Sequence, residues 1–187
     1  MRLFVAIDLD PEIRARIATF LEGIRGFAPE ARWVAANSLH VTLKFIGENQ
    51  RLEEIKSTLA STTGKAAQLS FRGTGFFPNP KRARVFWVGI DADENLAALA
   101  ASIDAHLANI GIEKEQRAFT PHLTLARSGE RHSSGESRNR FQKLVAQLSK
   151  RPAPDFGTMT AREFFLYQSK TAPGGAVYTK LARYELQ

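Results

Sequence analysis

The chain has 187 residues, enough for one compact unit or two small lobes that bury sufficient apolar surface to fold without covalent staples. It contains no cysteine, which excludes disulfides, thiolate metal sites and cysteine nucleophiles and suits a reducing cytosol. A formal charge of +7 and a pI near 10.0 favour an anionic partner such as RNA or a phosphorylated small molecule, although a merely solvated basic surface gives the same sum.

In chain order, the first apolar run, Leu3-Phe4-Val5-Ala6-Ile7, is short, bounded by polar residues and rich in strand formers, so it predicts a buried strand. It reaches Asp8 before it is long enough for an export signal, and no later run is long enough to span a bilayer, so a cytoplasmic protein is expected. Asp10 as N-cap and Pro11 at the first helical position then open a helix with Ile13, Ile17, Phe20, Leu21 and Ile24 on one face and Gly26 as its stop. A second strand covers Leu39 to Ile46, followed by a polar-rich helix from about Arg51 to Thr63 and a strand from Leu69 to Phe76. Pro78 to Arg84 reads as a loop.

The order then repeats. Phe86-Trp87-Val88-Gly89-Ile90-Asp91-Ala92-Asp93 echoes Leu3 to Asp10 at an offset of 83 residues. Asp93 can cap a helix with Leu96, Leu99, Ala100, Ile103, Leu107 and Ile110 on its apolar face and Gly111 at its end. Pro121 to Arg127 forms the next strand, Ser128 to Ser137 a mobile polar loop, about Glu136 to Ser149 a helix, Phe156 to Tyr167 a strand, and Val177 to Leu186 a last strand. Asp8, Asp10, Asp91 and Asp93 are assigned to turns and caps rather than to a carboxylate metal site. The repeat implies an α+β fold: two similar lobes of mainly antiparallel sheet with helices outside, related by a pseudo-twofold, within one domain over 1–187. The lobe boundary falls near residue 80, with strand exchange between lobes left open.

Two His-x-Thr-Leu motifs occupy equivalent points of the repeat, His40-Val41-Thr42-Leu43 and His122-Leu123-Thr124-Leu125. Strand alternation places each histidine and threonine on one face, with Val41, Leu43 and Phe45 on the opposite, core side of the first motif. Paired lobes bring the polar faces together. Two facing imidazoles suit phosphodiester hydrolysis: one takes a proton from water, the other protonates the departing oxygen, and threonine hydroxyls can donate to the non-bridging oxygens. A single such motif is usually a surface feature, and registration within the repeat is what raises these two above it. Zinc would need a third protein ligand, and no His-x-His or His-Glu-x-x-His pattern is present. His106, in a helix, and His132, in the polar loop, are assigned structural or solvated roles.

With those residues in view, Arg2 to Ile7, Leu39 to Gly47 and Pro121 to Arg127 resemble the 2H phosphoesterase superfamily, specifically the LigT-like RNA 2',3'-cyclic phosphodiesterases also called 2'-5' RNA ligases. The likeness runs from end to end and implies the duplicated fold with a central cleft. It implies opening of a terminal 2',3'-cyclic phosphate on RNA, or on related nucleotides, to a 2'-phosphomonoester, with no cofactor or metal. Also implied are His40 as general acid, His122 as general base, Thr42 and Thr124 as phosphate contacts, and reversible 2'-5' joining. By the same resemblance Arg127 is a further phosphate contact, which requires the strand to end or bulge first, because strict alternation points it away from His122. Lys81, Arg82 and Arg84 are solvated loop residues or RNA-steering charges, Phe119 is a candidate for base stacking, and a monomer is expected.

Overall fold

The computed structural model describes residues 1–129 and 139–187. The strand β1 (Arg2–Asp8) feeds the helix α1 (Pro11–Ile24), and after a two-residue strand β2 (Arg32–Trp33) comes β3 (His40–Glu48). α2 (Leu52–Ala60), β4 (Ala67–Phe77), β5 (Val85–Ala92), α3 (Glu94–Asn109) and β6 (His122–Arg127) follow. The chain ends through α4 (Gln142–Leu148), β7 (Asp155–Ala161), β8 (Glu163–Ala172) and β9 (Gly175–Glu185).

The strands form two antiparallel sheets, β3-β1-β8-β9 and β2-β6-β5-β4-β7. Each sheet draws strands from both halves of the chain: β2 and β4 leave the first half for the second sheet, and β8 returns to pair with β1, with β9 beside it at the edge. The segment Phe156 to Tyr167, expected as one strand, is two strands in different sheets, with Arg162 as the only residue between them. Its apolar pattern is continuous because both pieces pack on the same core, so periodicity alone could not reveal the change of partner.

One continuous apolar core lies between the sheets and their helices, containing Leu3, Val5 and Ile7 of β1, Ile13, Ile17, Leu21 and Ile24 of α1, and Leu96, Leu99, Ile103 and Leu107 of α3. The two helix stripes read from the sequence are thus the faces that are buried. A smaller cluster of Phe4, Ala6, Phe165 and Tyr167, with Tyr178 against it, lies on the other side of the first sheet.

The helix ends differ in detail. Asp93 does cap α3, its carboxylate accepting from the Asn95 N–H at 3.1 Å, whereas the Asp10 side chain makes no capping bond and Pro11 alone pre-organises α1. α1 stops at Ile24 and Gly26 lies inside a 3-10 turn over Arg25–Phe27, while Gly111, at φ +84°, closes α3 as expected. The helix expected from Arg51 is the shorter α2, and the start of the one expected from Glu136 lies outside the described residues, as do His132 and most of the polar loop Ser128 to Ser137. Among the described residues no helix is long and apolar enough to cross a membrane.

Candidate active site

Both His-x-Thr strands carry a β-bulge at the same place. On β3, Thr42 pairs with Ala6 and Lys44 with Val5, so Leu43 has no partner. On β6, Thr124 pairs with Trp87 and Ala126 with Phe86, so Leu125 has none. An extra residue resets the alternation. Leu43 and Lys44 are consecutively buried, as are Leu125 and Ala126, and the next residue of each strand, Phe45 or Arg127, turns back to the histidine's face.

The bulge supplies what Arg127 needed: the side chain is exposed on the same face as His122 and Thr124, and its charge reaches His40 of the other sheet. It also overturns the expectation for Phe45, which is 63% exposed rather than core. Its displaced core position goes to Lys44, only 5% exposed, whose ammonium donates to the Asp104 carboxylate at 2.5 Å and to the Glu113 carbonyl at 2.6 Å. Phe45 could have been found from the sequence, because the repeat sets it opposite Arg127, directly after the equivalent Leu-x pair.

Each imidazole is held in the same way. His40 Nδ1 lies 2.8 Å from the Ser38 carbonyl and His122 Nδ1 lies 2.9 Å from the Thr120 carbonyl. A carbonyl oxygen can only accept, so Nδ1 carries hydrogen in both rings and Nε2 is left to exchange protons: basic when neutral, acidic when protonated. Thr42 and Thr124 are half-buried on the same faces.

The surroundings of the two rings differ. His40 is half-buried against Phe4 (ring centroids 4.8 Å apart) and Tyr178 (5.0 Å, edge-on), and Phe4 in turn stacks on Tyr167 at 5.0 Å. Burial lowers the His40 pKa below 6.5; the hydrogen bond to Ser38 and the Asp8 carboxylate oppose that, and the charges of Arg127 and Arg14 add to it. Burial also pushes the Tyr167 phenol well above its ordinary range, so its hydroxyl stays protonated. His122 is exposed.

Asp8 does more than the turn formation expected of it. It pairs in register with His40, accepts from the Leu9 N–H, and forms ion pairs with Arg14 and with Lys180, the latter at 2.5 Å. Arg14 also donates to the Ala36 carbonyl at 2.6 Å, fixing the short turn Ala36–Ser38 that supplies the His40 acceptor. Phe119 packs on the main core instead of standing free, His106 Nδ1 lies 2.9 Å from the Thr62 hydroxyl, and Lys81, Arg82 and Arg84 are exposed. Among the described residues no group of three or more His, Cys, Asp or Glu side chains is arranged to hold a metal ion.

Two antiparallel sheets, each presenting a bulged His-x-Thr strand, define a duplicated phosphoesterase fold of the 2H type. Residues 4–172 match the family described as the 2'-5' RNA ligase superfamily, and the chain belongs to that family. It is 33% identical over 187 residues to the RNA 2',3'-cyclic phosphodiesterase of Archaeoglobus fulgidus, covering 99% of this chain and all of that one. It is 34% identical over 189 residues to the enzyme of that name from Escherichia coli, covering 99% and 96% of the two chains. Among solved structures, Escherichia coli LigT complexed with 3'-AMP superposes with a TM-score of 0.78 at 31% identity, over 100% of this chain and 98% of that one.

Proposed function

We propose that the protein is an RNA 2',3'-cyclic phosphodiesterase that opens the terminal cyclic phosphate to a 2'-phosphomonoester by acid–base catalysis between His40 and His122. The observation that carries the reading is the pair of bulged strands, each with an imidazole tied through Nδ1 to the carbonyl two residues earlier, so that two Nε2 atoms are free for proton transfer. The relatives' names supply the substrate class.

In this mechanism His122 Nε2 takes a proton as the water oxygen attacks phosphorus, and the bond to O3' breaks as His40 Nε2–H delivers its proton there. The 2' oxygen keeps the phosphate. Thr42 and Thr124 donate hydrogen bonds to the non-bridging oxygens and Arg127 holds two oxygens with its planar guanidinium. Phe45, exposed on the cleft face of β3, offers its ring to the terminal base. His40 must be protonated to act as the acid, yet its burial and the nearby arginines disfavour that charge in the free protein. The phosphodiester anion supplies the missing counter-charge when it binds. The same opening with an RNA 5'-hydroxyl in place of water forms a 2'-5' linkage, and its reversal, O3' attacking that linkage and expelling the 5' oxygen, restores the cyclic phosphate. Both half-sites come from one chain, so a monomer carries every group required.

Incubation with an RNA 2',3'-cyclic phosphate in excess EDTA should yield the 2'-phosphate. A 3'-phosphate product would overturn the assigned direction of opening, and activity abolished by EDTA and restored by zinc would overturn the metal-free mechanism.

A further inference from the structure

The second sheet presents an aromatic surface that neither the core nor the hydrolytic mechanism uses. Trp87 on β5 pairs in register with Thr124, and its neighbour Gly89 pairs with His122, so the indole stands on the face that carries the motif. On its other side Trp87 pairs with Gly75 of β4, where a Cβ would run into the six-membered ring. The ring therefore lies down across the strand at Gly75. Phe86 and Val88, on either side, are fully buried, whereas Trp87 keeps part of its surface open and belongs to neither apolar cluster. The same face continues through Val85 to Phe77, which is 63% exposed and pairs with Val85, itself the register partner of Arg127.

A glycine inside a strand weakens it and marks a place where a ligand or a large neighbour comes close. Here two glycines, Gly75 and Gly89, border one half-open indole beside a catalytic strand. The internal repeat aligns Trp87 with Phe4, whose ring is buried beneath His40. The equivalent position has thus become support on one side of the cleft and open surface on the other.

We infer that Trp87 is a stacking platform for the nucleobase of the RNA strand that carries the 5' oxygen of a 2'-5' linkage. The inference rests on the proposed seating of phosphate between the two histidines. Entering and leaving oxygens lie roughly in line at phosphorus. The terminal ribose departs on the His40 side, with its base toward Phe45, so a 5'-hydroxyl entering in place of water arrives on the His122 side and its nucleoside lies over β6 and β5. Trp87 is the large open ring there, and stacking on it is tolerant of base identity.

The test uses two ligands. Adenosine 2'-phosphate fills the His40 side alone, and 2'-5' ApA fills both sides. The chain has two tryptophans, and Trp33→Phe leaves Trp87 as the only one. With His40→Ala added to block turnover, 2'-5' ApA should quench the Trp87 fluorescence and adenosine 2'-phosphate should not. Trp87→Ala should weaken 2'-5' ApA binding roughly 5- to 150-fold, the range expected for one stacked base. The loss should be confined to that ligand, and Trp87→Phe should recover most of it. Equal quenching by both ligands, or equal loss of both, or loss of neither in Trp87→Ala would overturn the assignment. If the wild-type protein opens cyclic phosphates while any of these holds, the Trp87 inference alone falls; if it neither opens them nor binds either ligand, the active-site reading falls with it.

Discussion

The two half-sites share a backbone and differ in almost everything around it. In both, histidine and threonine precede an unpaired leucine, and Nδ1 is fixed to a carbonyl two residues back. Yet His40 leans on a buried aromatic cluster beside a carboxylate held by Arg14 and Lys180, while His122 stands exposed between Arg127 and the open face of β5. Duplication thus repeats the geometry on which the proposed proton transfer rests, and the neighbouring side chains set charge and contact differently on each side. The sharpest test is whether the halves are equally necessary. His40→Ala and His122→Ala should each lower turnover on a cyclic phosphate by about 10²- to 10⁴-fold, with the thermal midpoint little changed. The double variant should fall far short of the product of the two losses, because the pair acts as a unit. Near-normal kcat in either single variant would show that one half is only scaffold.

At the position after the bulge the halves carry opposite chemistry, Arg127 against Phe45. Removing a preorganised donor to a developing phosphate charge costs about 10²- to 10³-fold in kcat, so Arg127→Ala should fall in that range. Arg127→Lys should recover only part, since an ammonium is a point charge and not a two-pronged donor. Phe45→Ala should instead act on the nucleoside, raising KM roughly 5- to 150-fold for cyclic nucleotides, with Phe45→Tyr close to wild type. If both variants lowered kcat alone by similar factors, the division between a phosphate side and a base side would be wrong.

One residue earlier, Lys44 and Ala126 occupy the same buried place. Lys44 is tolerable there because Asp104 and the Glu113 carbonyl take its protons, and Asp104 also accepts from the Glu115 N–H at 3.1 Å. Asp104→Ala strands that charge and should cost about 3 kcal/mol of unfolding free energy. Lys44→Met, which removes the charge itself, should cost far less. Urea unfolding of the two variants decides between a stabilising pair and one whose removal is harmless.

How much of this was legible in the sequence follows from which features are periodic. The helix stripes, the register of the repeat and the positions of His40, Thr42, His122 and Thr124 depend on local alternation and on spacing, and these were readable. Phe45 lies outside the core against the strand's alternation, because a bulge leaves no mark within one apolar run, Leu43 being as hydrophobic unpaired as paired; only the alignment of Phe45 with Arg127 in the repeat carries a sign of it. The division of Phe156 to Tyr167 between sheets was hidden for a similar reason, since both pieces bury the same kind of residue. The tie from Asp8 through Arg14 to the Ala36–Ser38 turn joins residues distant in sequence that no local motif links.

That tie yields the smallest effect and the one most specific to the His40 half. The Asp8 carboxylate favours the protonated imidazole, while burial, Arg127 and Arg14 oppose it. Asp8→Asn removes the favourable charge and leaves that of Arg14 uncompensated, so both changes lower the His40 pKa further. An acid and a base that share one proton give a bell whose limbs are the pKa values of the pair, whichever histidine plays which part. In Asp8→Asn one limb of kcat/KM, which reports the free enzyme, should therefore move to lower pH and the other stay in place. The alkaline limb of kcat should lie at higher pH than that of kcat/KM in the wild-type protein, because the bound phosphate anion favours protonated imidazole. A pH profile of Asp8→Asn thus identifies the limb that belongs to His40, and a profile with both limbs unmoved would show that Asp8 does not set the charge of that half.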